Sequence, residues 1–314
     1  MAGPVVQGQV SARVHRAALL AALLPCCAAP PEWQQDLTAA LAGARRSGRE
    51  VVVFFTLPGR EMSDRMQARI EDPLIMAALA RGGFAAVVCD GVARKRLYGA
   101  WIGGGEGMGI AVLDAAGAVY CARPGPQDPE ELAALLDLCA AKREPLARLR
   151  AQQAAAPRDP LLQHELGCLY LELGCRVHCE PLLLEAATGG VAEARHRLAH
   201  LYALDGDLLS ARRWLQAAPR TPDAIATEGY VLFKERRHAE AVEAFEQALA
   251  TGKLGEERQR ALLYLGKSLH EAKDDERAVP ILERLANEGT GSTFEAAARH
   301  TLGHIYNPDH GHTH

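Results

Sequence analysis

The stretch VVVFFTLPGREMSDRM, residues 51–66, decides how the first half of this chain is read. Val51 to Phe55 is apolar throughout and rich in β-branched and aromatic side chains, the pattern of a strand buried on both faces. Thr56 ends the run, Pro58 and Gly59 turn the chain, and a helical pattern follows. A strand that feeds a helix N-terminus is a place where thiols are activated, because the positive end of the helix stabilises a thiolate. No cysteine stands in this stretch.

Working outward, Trp33–Arg46 reads as a helix with Leu37 and Leu41 on one face. Beyond the stretch, Met62, Met66, Ile70, Leu74 and Leu79 recur at helical spacing, with a kink expected at Pro73. FAAVVCD (84–90) is a second buried strand. GIAVLD (109–114) and AVYCA (118–122) form a hairpin about the turn AAG, and DPEELAALLDLC (128–139) is a capped helix.

This order resembles the thioredoxin fold over roughly residues 32–141. Phe55, Pro58 and Met66 carry the likeness, matching that family's strand-end aromatic, loop proline and helix-lining apolar residue. On this alignment the two family cysteines fall at Arg60 and Ser63, and Met108 or Gly109 stands where the family has its cis-proline. The resemblance therefore implies the fold without dithiol exchange. Arg60 is no nucleophile, and residues 32–141 hold no histidine to serve Ser63 as a base. Cys89 is followed by Asp90, which would raise a thiol pKa. WIGGGEGMG (101–109) precedes a strand and lacks the Lys-Ser/Thr ending of a phosphate loop.

Residues 142–158 are charged, Ala-rich and closed by Pro157, and read as a linker with helical tendency. The chain then repeats itself. LLQHELGCLYLELG (161–174), AEARHRLAHLYALDG (192–206), IATEGYVLF (225–233), ALLYLGKSLHEAKD (261–274) and AAARHTLGHIYN (296–307) each centre on a small residue. These are Gly167, Ala199, Gly229, Gly266 and Gly303, followed one turn later by Tyr170, Tyr202, Leu232, Leu269 and Tyr306. Second helices carry the pairs Cys179/Leu183, Ala211/Leu215, Ala241/Phe245 and Ala278/Leu282, small then bulky. AEAVEAFEQAL (239–249) is close to the tetratricopeptide consensus, and residues 159–306 resemble that family. The fold class expected is an α/β thioredoxin-like domain followed by an all-α tetratricopeptide-repeat solenoid.

The second resemblance implies a groove for a protein or peptide partner. Its lining would be His164, Cys168 and Leu171, then His196, His200 and Ala203, then Ala226, Tyr230 and Phe233. Leu263, Lys267 and His270 follow, and His300 and His304 complete it. His196/His200 and His300/His304 stand one helical turn apart, a spacing that lets both imidazoles reach one metal ion. The tail, residues 307–314, adds His310, His312 and His314. Zinc, copper or nickel would suit these ligands; the alternative is a polar groove, a solvated tail and no cofactor. Cys175, Cys179 and His178 form another possible zinc set. Cys168 and Cys179 stand on facing helices within possible disulfide reach, although Cys179 occupies a small-residue packing slot.

Residues 1–31 begin with Arg13, His15 and Arg16, continue with AALLAALLP and end in small residues. That is the anatomy of a secretory signal cut after Ala28, with a disordered, Ala-rich start or a short amphipathic helix as the alternative and a lipid anchor at Cys26 as the only membrane attachment expected. Export to a periplasm or cell envelope is the expectation, cytoplasmic residence the alternative. A formal charge of −4 gives no basic footprint for nucleic acid. Two functions follow: a non-catalytic interaction or scaffold protein, or a redox or metal-handling protein using isolated cysteines and groove or tail histidines. Hydrolysis at Ser63 has only the hydroxyl to support it.

Overall fold

The computed structural model describes residues 33–307 except 62–63, 65–69, 105–106 and 256. The signal-like segment, Ser63, Met62, Met66 and the tail residues His310, His312 and His314 lie outside the described residues. The described residues all belong to one compact unit.

Five strands form a mixed sheet in the order β1-β3-β2-β4-β5. They are β1 (Trp33–Gln34), β2 (Val51–Thr56), β3 (Ala85–Asp90), β4 (Gly109–Leu113) and β5 (Val119–Pro124). β3 runs parallel to β1 and β2, and β4 runs antiparallel to β2 and β5. Every residue of β2 is buried, as its unbroken apolar run requires of a central strand.

Helix α1 (Leu37–Ser47) starts later than its apolar pattern suggests. Asp36 Oδ1 accepts from Thr38 N at 2.8 Å and Ala39 N at 3.2 Å, which fixes the N-terminus and leaves Trp33 to pair with β3. Pro73 opens α2 (Pro73–Gly82) rather than kinking a longer helix, with Asp72 capping Leu74 N at 2.8 Å. The short α3 (Lys95–Trp101) follows β3.

Helix α4 (Pro129–Ala155) is continuous through residues 142–155. It packs against α2 at one end and α5 (Pro160–Glu172) at the other. Arg150 on α4 ties three elements together: its Nε donates to Tyr170 Oη at 2.7 Å and its Nη1 to Asp114 Oδ2 at 2.8 Å. Arg143 and Tyr120 both donate to the buried Glu50 Oε2 at 2.7 Å. One hydrophobic core therefore runs from Leu37 through the sheet and α4 to Leu201.

Eight helices follow α5 among the described residues. They are α6 (Arg176–Thr188), α7 (Ala194–Leu204), α8 (Leu208–Ala217), α9 (Pro222–Lys234), α10 (His238–Ala250), α11 (Glu257–Glu271), α12 (Asp275–Ala286) and α13 (Thr293–Tyr306). They pack as pairs, α5 on α6, α7 on α8, α9 on α10 and α11 on α12. Glycine sets the closeness of three pairs. A Cβ on Gly167 would lie 2.9 Å from Leu183, on Gly229 2.9 Å from Phe245, and on Gly266 2.6 Å from Leu282. The first helices of the pairs also touch one another, in the order α5, α7, α9, α11, α13. α13 then contacts α4, which contacts α5, so six helices close a ring.

Candidate functional site

The ring borders a cavity of about 1040 Å³. α4 supplies Leu138, Lys142 and Leu149, α5 supplies His164, Cys168 and Leu171, and α7 supplies Arg197 and His200. Glu257, Arg260 and Tyr264 come from α11, and Thr290 to Phe294 come from the turn into α13. Exposed residues Glu165, Leu204 and Gly291 mark the rim.

The chemistry of this cavity centres on one shared carboxylate. Arg197 Nη1 pairs with Glu257 Oε1, and Arg260 Nη2 lies 2.5 Å from Glu257 Oε2, close enough to attract but off the hydrogen-bond direction. Arg260 Nη2 also donates to Thr227 Oγ1 at 3.2 Å. Two guanidinium groups facing one carboxylate leave this trio with one net positive charge. Arg260 is 5% exposed, and burial followed by repulsion from Arg197 lowers its pKa to about 9, so it remains a cation at neutral pH.

Around the trio, buried polar atoms stand without hydrogen-bond partners, the acceptor Glu257 Oε2 among them. Among the described residues, Arg197 Nε, Arg260 Nε, His200 Nδ1 and both ring nitrogens of His196 are buried without a hydrogen-bond partner. Leaving such groups unpaired carries a desolvation penalty of about 1–3 kcal/mol each. His196 and His200 are 2% and 7% exposed. Burial, reinforced by Arg197 and Arg260, holds His200 well below the usual histidine range and His196 down to about 3. Both are neutral imidazoles at physiological pH.

The residues expected in a groove divide into several groups. His164, Cys168, Leu171 and His200 line the cavity, and His196 lies buried beside them. Cys168 Sγ is 3.4 Å from His164 Nε2, and burial, then Arg197, keeps His164 below its ordinary pKa, so the contact joins a thiol to a neutral imidazole. Tyr230 packs on His200 at 4.8 Å and on Tyr264 at 4.6 Å between ring centroids, and Phe233 meets Tyr264 at 5.2 Å. Lys267 lies over the Tyr264 ring at 5.6 Å, its pKa lowered by burial and partly restored by Glu131. His270 pairs with Asp275 at 2.6 Å and does not line the cavity.

His300 and His304 meet α4. His304 Nε2 is 2.9 Å from His300 Nε2, which is 3.1 Å from Asp128 Oδ2. His300 Nδ1 lies 3.9 Å from Glu131 Oε1. Burial and then the charge of Asp128 raise the Glu131 pKa. Arg197, Glu257, Arg260, Asp128 and Glu131 are functional candidates that sequence reasoning missed. The available signal was the charge of Arg260 directly before the apolar run Ala261–Leu263.

In the α/β part, Arg60 is exposed on the turn after β2, its amide donating to Leu57 O at 3.2 Å. Phe55 is buried against Tyr98, at 5.3 Å, and Trp101, at 6.1 Å. The glycines serve a backbone crossing here: a Cβ on Gly91 would lie 1.7 Å from Gly107 O. Cys89 is buried, and burial, opposed by Arg94, raises its pKa; Asp90 instead caps Val92 N at 2.8 Å. Cys168 and Cys179 are free thiols, with Cys179 Sγ donating to Arg176 O at 3.6 Å. No protein-family model matches this sequence, and no curated protein matches it.

Proposed function

We propose that this chain is a non-catalytic protein-interaction protein, a thioredoxin-like domain without its thiol pair joined to a tetratricopeptide-like array, and that the ring cavity takes an acidic peptide segment of a protein partner. The observation that carries this reading is a pair of buried cationic donors: two guanidinium groups share Glu257, while the Nε of each has no acceptor. A peptide carboxylate is the acceptor that such a cluster lacks, and guanidinium recognises it in a planar, two-pronged geometry. Leu138, Leu149 and Leu171 supply apolar wall for neighbouring side chains of the peptide.

The loop at Arg60 then serves as surface, not as a reaction centre. Export through residues 1–31 remains part of the proposal, since a scaffold of this kind would act beside its partner in the cell envelope. Screening the full chain against an array of acidic peptides and their Asn/Gln counterparts tests the reading. Preference for the acidic members supports it; equal capture of both sets counts against it. The other reading, redox chemistry, has the Cys168–His164 contact in its favour.

A further inference from the structure

Cys168 and His164 stand one turn apart on α5, with Sγ 3.4 Å from the ring Nε2. Both line the ring cavity, and Cys168 is the one cysteine among the described residues that is not fully buried. Burial, and then Arg197, keep the imidazole neutral at physiological pH. A neutral imidazole at this distance is placed to take the thiol proton, and the thiolate is the form that attacks a disulfide. The cavity, about 1040 Å³, has room for a small peptide thiol, since ligand sites typically hold about 300–1,000 Å³. Leu138 and Leu149 of α4 give it an apolar wall.

The charges around this thiol are mixed in sign. On α5 itself, Glu165 is exposed at the rim and Glu172 is held by Lys142 of α4 at 2.9 Å. Glu193 and Glu165 act on His164 against Arg197. Across the cavity, Arg197 of α7 and Arg260 of α11 share Glu257. Arg123 of β5 also lines it, donating to Glu172 O at 2.8 Å. Asp137 of α4 is neutralised by Arg81 at 2.7 Å. With that pair set aside, Arg123, Lys142, Arg197 and Arg260 face Glu165, Glu172 and Glu257, four cations against three carboxylates. Arg260, 5% exposed, also borders the cavity with its Nε lacking a hydrogen-bond partner. A carboxylate on a small thiol supplies both the missing charge and the missing acceptor.

We propose that Cys168 forms a mixed disulfide with a carboxylate-bearing low-molecular-weight thiol, which Arg197 and Arg260 hold in the ring cavity. The oxidant is the symmetrical disulfide of that thiol. Cys168 Sγ gives its proton to His164 Nε2 and bonds to one sulfur of the disulfide. The bond between the two reagent sulfurs breaks, and the leaving thiolate takes the proton from His164. Cys168 is oxidised and the departing half of the reagent is reduced to a thiol, so atoms and electrons balance. The modification stands independently of whether the cavity also takes a peptide.

The experiment incubates the full-length chain at neutral pH with glutathione disulfide, which is anionic, and separately with cystamine, which is cationic. Intact mass and peptide mapping read the adduct and its rate of formation. The urea-unfolded chain with the same two reagents gives the rate ratio set by the thiols alone. One glutathionyl group on Cys168, released by dithiothreitol, is expected. The folded chain should favour glutathione disulfide over cystamine at least about tenfold more than the unfolded chain does. Arg197→Gln should lose most of that preference. His164→Gln should slow the reaction at least about tenfold at pH 7. It should match the native sequence above about pH 9, where the thiol ionises unaided. Adduct on another cysteine, none on Cys168 in the folded chain, or a rate ratio equal to that of the unfolded chain would overturn the proposal. Identical pH profiles for His164→Gln and the native sequence would overturn it too. The reagent ratio needs no variant, so the test stays decisive where Arg197→Gln does not fold.

Discussion

Arg299 Nε lies 2.8 Å from Glu130 Oε2, joining α13 to the first turn of α4 across 169 residues of sequence. Both side chains are about half exposed, so the pair contributes no more than about 1 kcal/mol to global stability. Its effect should be local. Arg299→Ala is expected to change the denaturant midpoint little but to accelerate amide hydrogen exchange along α13, as expected of a segment near the low end of local stability. Exchange unchanged along α13 would mean that the ring closes without this contact.

Glycine substitutions should separate packing from helix propensity. Gly266→Ala forces a methyl to within 2.6 Å of Leu282, and Gly229→Ala one to within 2.9 Å of Phe245. Overpacking of this kind costs typically about 1–3 kcal/mol. At Gly303 a Cβ meets nothing within 4 Å, so Gly303→Ala should raise stability by up to about 1 kcal/mol. Urea denaturation of the three variants checks both signs.

The same contrast shows what the sequence reveals. The repeat pattern marks Gly229 as the small central residue of a first helix and Phe245 as the bulky residue of a second, while their meeting within one pair is seen only in the fold. β2 and β3 are legible because burial on both faces leaves no polar alternation. Element edges are less so: Asp36 and Asp72 set helix starts through caps that compete with the apolar pattern around them. Nothing local marks Arg197, and only the apolar run after it marks Arg260, yet within the ring that closes from α13 back to α4 Arg260 is buried and Arg197 half-buried. That closure is a long-range property, without a local signature in either segment.

Acid should destabilise the ring through His196 and His200. In the unfolded chain both titrate near 6.5, whereas the fold holds them neutral far below that value. The stability they contribute is full above about pH 6.5 and falls as the unfolded chain takes up protons that the folded chain refuses. For His196 the fall continues towards its folded value of about 3. Each histidine adds a slope of up to about 1.4 kcal/mol per pH unit. Arg197, Arg260, His164 and Arg123 act in the same direction as burial. Denaturation between pH 7.5 and 5 should show this loss, roughly halved in His196→Gln; a flat profile would contradict the neutral assignment.

Thiol reactivity should single out Cys168. Of the six cysteines among the described residues, it alone is not fully buried. Burial pushes Cys175 up to about 12, and Cys179 and Cys89 rise for the same leading cause. For Cys175 this cuts the thiolate fraction by roughly three orders of magnitude against a free thiol. Alkylation at neutral pH followed by peptide mapping should mark Cys168 first and the other five only after unfolding. Labelling of Cys89 as fast as Cys168 would favour the redox reading.

The acidic-peptide account is tested most directly by calorimetric titration of the unmodified chain and its Arg260→Met variant with an acidic peptide selected from the array. Methionine fills much of the same volume without the charge, and Arg197 still pairs with Glu257, so the buried carboxylate is not left alone. The account predicts saturable binding that weakens with salt and falls at least tenfold in Arg260→Met. Equal affinity for the two folded proteins would contradict it.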